Sequence, residues 1–182
     1  INIDIFKEEL LFKSSRPFIE SNNKIGFGFR GNYENIKIEL IDSFSNDFKS
    51  IITKNKETDT LNYWFSNIKY DSLRFVVKSN NKKAFYTIKY KEKKKDSLVI
   101  TPSQNGLINL NDHFKLYSNI PILNINNDLI SIINKDSVVV PFKTKIDKNN
   151  FDVIFDFDML PNDKFQLSLL PNALNDFLGS SN

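Results

Sequence analysis

Cysteine is absent from the 182 residues, which removes disulfide staples, thiolate nucleophiles and cysteine-based zinc sites from the available chemistry. Stability must then come from packing. Histidine occurs once, as His113, so any Ser-His-Asp arrangement would have to use it, and no Gly-x-Ser-x-Gly nucleophile elbow accompanies it. Flanked by Asp112 and Phe114, it reads as a half-exposed turn residue at a strand entrance. The only arginines are Arg16, Arg30 and Arg74, and the net charge of +3 is spread along the chain. Phosphate and base-edge readers depend on the guanidinium fork, so nucleic acid is not an expected partner. No run approaches the roughly 18 to 20 apolar residues of a membrane span, and residues 1–12 do not have the order of a signal peptide. Because Ile1 opens directly into alternating sequence without an initiator Met, the expectation is a mature fragment whose targeting segment lies upstream.

Helix formers are equally scarce, with Ala84 and Ala173 the only alanines. Ile, Phe, Tyr, Val and Thr are plentiful, and these suit a pleated, half-buried surface. Seventeen Phe and six Tyr supply material for a dense core. The dominant period is two: Ile25, Phe27 and Phe29 alternate with Gly26, Gly28 and Arg30, and Ile36, Ile38 and Leu40 alternate with Lys37, Glu39 and Ile41. These two runs read as antiparallel strands joined at Gly31 to Asn35. Further strands are expected at 50–53, 60–66, 72–78 and 84–90, then at 98–101, 114–118, 129–133, 137–146, 151–157 and 164–170. Spacing of about ten residues is the signature of a sandwich or barrel. The fold expected is all-β, as two tandem antiparallel β-sandwich domains. Between the two series lies Lys91-Glu92-Lys93-Lys94-Lys95-Asp96, without one apolar member, which places the domains at 1–92 and 93–182.

An acidic residue, a hydroxyl residue and an aliphatic recur as Asp59-Thr60-Leu61, Asp71-Ser72-Leu73, Asp96-Ser97-Leu98 and Asp136-Ser137-Val138. Each is expected to open a strand, its Asp accepting from a backbone amide two residues on. In Phe151-Asp152-Val153-Ile154-Phe155-Asp156-Phe157-Asp158, alternation puts Asp152, Asp156 and Asp158 on one side of a strand. Calcium wants six to eight oxygens, usually from one compact loop, so an apolar-in, charged-out strand is the preferred reading and no metal or other cofactor is expected. Gly26-Phe27-Gly28-Phe29-Arg30-Gly31 has the spacing of a dinucleotide fingerprint but lies inside strands, where close backbone packing or a bulge accounts for it better. Trp64, with Tyr63 beside it, is the one aromatic group that offers a ligand platform, for sugars. Alternation puts Tyr63 and Phe65 on one face and Trp64 on the other, so at least one side is ordinary core.

The order of Phe6-Lys7-Glu8-Glu9, the strand at Lys24 to Phe29, Asp59-Thr60-Leu61-Asn62-Tyr63-Trp64-Phe65 and Ser118-Asn119-Ile120-Pro121-Ile122 resembles the Ig-like-domain lipoproteins of Bacteroidota. Their last sandwich, of the S-layer type, is similar to Asn119-Ile120-Pro121-Ile122, Lys135-Asp136-Ser137-Val138-Val139-Val140-Pro141-Phe142 and the stretch from Leu169 to Gly179. The resemblance implies Ig-like sandwiches, a lipid anchor upstream of this chain and an address at the outer membrane of the cell envelope. It implies no catalytic residues. The expected role is that of a scaffold or accessory subunit that binds an outer-membrane protein complex, with a carbohydrate-binding module that uses Trp64 and Tyr63 as the alternative.

Overall fold

The computed structural model describes residues 13–33, 35–42, 46–66, 71–79, 82–91, 96–108 and 112–182. Among these residues the regular structure is β-strand, apart from one turn of 3-10 helix at Asn127–Leu129. The chain divides into two compact units, Ile1–Asp96 and Ser97–Asn182. Of the charged run at the expected domain boundary, Glu92 to Lys95 lie outside the described residues, as does Phe6-Lys7-Glu8-Glu9.

The first unit contains β1 (Lys13–Ser14), β2 (Phe18–Ser21), β3 (Lys24–Arg30), β4 (Ile36–Leu40), β5 (Ser50–Lys54), β6 (Thr60–Phe65), β7 (Ser72–Ser79) and β8 (Lys82–Lys89). One sheet runs β1-β3-β6-β5, with β2 also on β3, and the other runs β4-β7-β8. All pairings are antiparallel. Period-two alternation turns Ile25, Phe27 and Phe29 of β3 and Leu61, Tyr63 and Phe65 of β6 toward Leu73, Phe75 and Val77 of β7. Phe75 sits at the centre with no exposed surface. It stands edge-on to Phe27 and to Tyr63, each at 5.2 Å between centroids. Burial of one such ring contributes about 1.5 to 3 kcal/mol, and each edge-on pair adds roughly 1 kcal/mol.

The expected β3-β4 hairpin does not form. β3 pairs with β1, β2 and β6, whereas β4 pairs with β7 in the other sheet. Alternation identifies a strand and its inward face but not its neighbour, and here Ile38 meets the β3 aromatics within the shared core. Gly31, at φ 86°, begins the crossover. The strand glycines have the packing role expected of them at Gly26: the Phe18 ring lies across it, and a Cβ there would stand 2.5 Å from the ring.

The second unit contains β9 (Ile100–Pro102), β10 (Phe114–Ser118), β11 (Ile122–Ile125), β12 (Ile130–Asn134), β13 (Phe142–Ile146), β14 (Val153–Phe157), β15 (Phe165–Leu169) and β16 (Leu174–Asp176). A four-stranded sheet β13-β14-β10-β9 is accompanied by two antiparallel pairs, β11-β16 and β12-β15. The strand expected from 137 begins only at Phe142. Ser137, at φ 61°, is part of a turn that Asn134 closes by accepting from the amides of Asp136 and Val138.

Of the four recurrent triplets, those at Asp59 and Asp71 open β6 and β7 as expected, whereas after Asp96 and Asp136 the next strands begin only at Ile100 and Phe142, and the expected Asp cap is not the device at these positions. No described amide is capped by the carboxylates of Asp59, Asp71 or Asp136; instead the main-chain carbonyls of Asp59 and Asp71 accept from Phe29 and Tyr90. The side-chain caps belong to Asn55, Asn126, Asn134, Asp147 and Asp176. Asparagine and aspartate share the acceptor oxygen, so the device is the one anticipated, at other positions.

Phe75→Ala should lower stability by about 3 to 5 kcal/mol, as large-to-small core substitutions do. Phe85→Ala on β8, where the ring is 70% exposed, should change it by less than about 0.5 kcal/mol. Urea unfolding followed by Trp64 fluorescence measures both.

Candidate functional site

The structure disperses the side chains that the sequence offered for chemistry. His113 is exposed just before β10. Asp152 is buried in the turn that enters β14, while Asp156 and Asp158 are exposed further along, and the intervening Ile154 is 8% exposed. Among the described residues no three His, Cys, Asp or Glu side chains gather as metal ligands do.

Tyr63 and Trp64, named for the sugar-binding alternative, both lie inside the protein at 4% and 3% exposure. Tyr63 belongs to the central core, packed against Phe75 and Phe65. Trp64 occupies the opposite face of β6, where alternation puts it, yet that face is covered as well. Its Nε1 donates to Thr53 Oγ1 at 3.0 Å, and the Lys24 ammonium sits 5.0 Å from the ring centroid. Neither ring offers a flat face to a pyranose. Burial raises the Tyr63 phenol above its usual 10.0, and a hydrogen bond from the Ser50 side chain draws it part of the way back.

What remains open are the sides of the two sandwiches, where sheet edges face one another. In the first unit a depression of about 630 Å³ runs between β2 and β8, edged by Arg16, Lys89 and Lys91. Another of about 510 Å³ lies beside Lys13, Lys82 and Lys83. These are guarded openings, since lysine and arginine keep foreign strands from pairing.

The second unit presents a different surface. A groove of about 470 Å³ opens between β9 and β15, with Phe114 and Leu116 of β10 at its floor and Phe165, Leu167 and Leu169 along one wall. Gly106, Ile108 and Phe165 connect it to a neighbouring depression lined by Leu107, Met159, Leu160 and Pro161. Leu107 is 94% exposed and Leu160 67% exposed. Gln104 Oε1, also at the groove, is buried without a hydrogen-bond partner.

The orientation of β15 follows from its ladder. Ile132 O accepts from Val140 N, and Asn134 N donates to Val138 O, so these two β12 residues turn their main chain away from β15. Their registered partners, Leu167 and Phe165, with Leu169 opposite Ile130, therefore point their own amides and carbonyls outward. No hydrogen bond reaches that outer row. Sequence reasoning missed this site because strand alternation is silent about which edge stays unpaired. The trace in sequence is chemical, for Phe165-Gln166-Leu167-Ser168-Leu169 has neither charge nor proline, though β11 and β12 share that character.

Compared with protein-family models, curated proteins and solved structures, the chain matches none.

Thr53→Val keeps the shape beside Trp64 but leaves the indole N–H unpaired. It should cost about 1 to 3 kcal/mol in urea unfolding. The raised Tyr63 value fixes a second expectation. A phenol held above its unfolded value stabilises the fold fully below pH 10.0, and that contribution is lost as pH rises through the folded value. The urea midpoint should decline above that pH, and decline less in Tyr63→Phe.

Proposed function

We propose that this chain is a non-catalytic scaffold or accessory subunit of a bacterial cell envelope, part of an outer-membrane lipoprotein that holds another envelope protein through its second sandwich. The uncovered apolar groove and rim of that sandwich carry the reading. Contiguous exposed apolar surface of this kind marks interaction sites, because leaving it in water costs about 25 cal/mol for every Å².

The chemistry of the remaining residues fits a binding role. Polar side chains here are largely occupied with the backbone: Asn23 donates to Phe65 O, Asn119 spans Ser97 O and the Val99 amide, and Asp176 caps Leu178 and Ser180. The stretches that resemble the Bacteroidota lipoproteins do similar work. Ile120 and Ile122 are core, Pro121 O accepts from Phe177 N, and Ala173, Leu174 and Phe177 are buried. Positions of this sort specify a sandwich and leave its partner to the exposed surface. The outer-membrane address rests on that resemblance. The sugar-binding alternative has no comparable support, since Tyr63 and Trp64 are both buried.

The test is recovery of the tagged chain from gently solubilised envelopes of a Bacteroidota bacterium. An outer-membrane protein should accompany it in fixed ratio, with recovery diminished in Leu160→Lys. Recovery of the chain alone would contradict the proposal.

A further inference from the structure

We propose that the groove between β9 and β15 accepts a single extended segment of a partner polypeptide, which adds as a strand to β15 and places alternate apolar side chains between the two sheets. This rests on the binding role proposed above and gives the ligand its chemical class. Three observations converge on it.

The first is the unmet main chain. Phe165, Leu167 and Leu169 direct amides and carbonyls outward with no hydrogen bond made to them. A lipid tail or a small apolar molecule satisfies none of these groups, whereas an extended peptide satisfies them in register. At about 3.4 Å per residue, the five residues of β15 span roughly 17 Å, enough for one recognition strand.

The second is the core that lies open beside that edge. Both units have a fully buried centre, with Leu73 and Phe75 at 0% exposure in the first and Val153 and Leu174 at 0% in the second. In the second unit, Ile100, Phe114, Phe165, Leu167 and Leu169 are only partly buried although they pack on the core. A strand laid along β15 would cover them. Because the outward amides of β15 belong to the residues whose side chains face the core, the residues opposite them share that orientation. The incoming segment therefore needs apolar side chains on the same residues whose amides pair with β15.

The third is the absence of any guard. Among the described edge strands, β1, β4, β5, β8 and β13 each carry lysine, β2 and β16 carry an acidic residue and β9 ends in Pro102; β11 and β12 have no such guard, but β12 is bonded on its far side to Val138 and Val140. β15 has none of these devices. An edge left undefended beside an exposed apolar groove invites pairing. The groove of about 470 Å³ beside β15 has room for the side chains of one extended segment, so the occupant is a lone strand, and edge-to-edge pairing of two β15 strands is the competing outcome of the test.

The experiment is fluorescence polarisation with the full chain and a labelled nine-residue peptide of alternating isoleucine and threonine, capped by lysine at each end. A peptide of the same composition with its isoleucines contiguous is the control. The alternating peptide should bind saturably and the control should not. Methylation of the isoleucine nitrogens, which removes the donors facing β15, should weaken binding by at least about tenfold. Leu167→Lys should weaken it similarly with circular dichroism unchanged; should that variant fail to fold, the methylated peptide on the unaltered chain decides. No saturable binding, or equal binding of the methylated peptide, overturns the proposal. So does a concentration-dependent dimer that Leu167→Lys dissolves, which would make the occupant a second copy. An envelope partner recovered equally by the original chain and by Leu167→Lys would leave the scaffold role standing and remove the β15 edge from it.

Discussion

Every strand presents a row of amides and carbonyls along each side, and where those rows end at a sheet edge they must find a partner, water or a guard. The two units meet this demand differently. In the first, edge strands carry lysine, and Phe18 closes over Gly26 on the outer face. Ring packing around Phe75 can then be sealed on both sides. In the second, β16 pairs with β11 and leaves the outward row of β15 unmatched. The partly buried residues beside that row are a consequence of the same vacancy.

With no disulfide available, burial and hydrogen bonding hold each sandwich together. This explains why so many polar side chains serve turns. Short strands need many turns, and Asn55, Asn134, Asp147 and Asp176 each satisfy two amides that a loop would otherwise leave exposed. It also explains the placement of Trp64. As a neighbour of Lys24 and Ile51 across the ladder, it covers the outer face of β6, and its indole N–H is satisfied by Thr53. A residue that looked like a ligand platform is part of the enclosure.

The all-β class and most strands were legible because alternation is local: the strand expected at 114–118 is Phe114–Ser118, and that at 50–53 extends by one residue to Lys54. Pairing was not legible, because partners are chosen by contacts distant in sequence, as the separation of β3 from β4 shows. The short strands Ile122–Ile125 and Leu174–Asp176 were hidden within the stretches that carried the family resemblance. The turn at Ser137, with its positive φ, takes up the start of the run expected from 137, so that strand begins only at Phe142. The groove was the least legible feature, since an unpaired edge is a property of topology and the missing charge in β15 is shared by β11 and β12.

The central claim is that the outward main chain of β15 is unpaired and available. Amide hydrogen exchange on the full chain, read residue by residue, tests it most directly. The account predicts fast exchange at Phe165, Leu167 and Leu169 beside slow exchange at Gln166 and Ser168, whose amides face β12. Slow exchange at all five would mean the edge is already covered and would contradict the account.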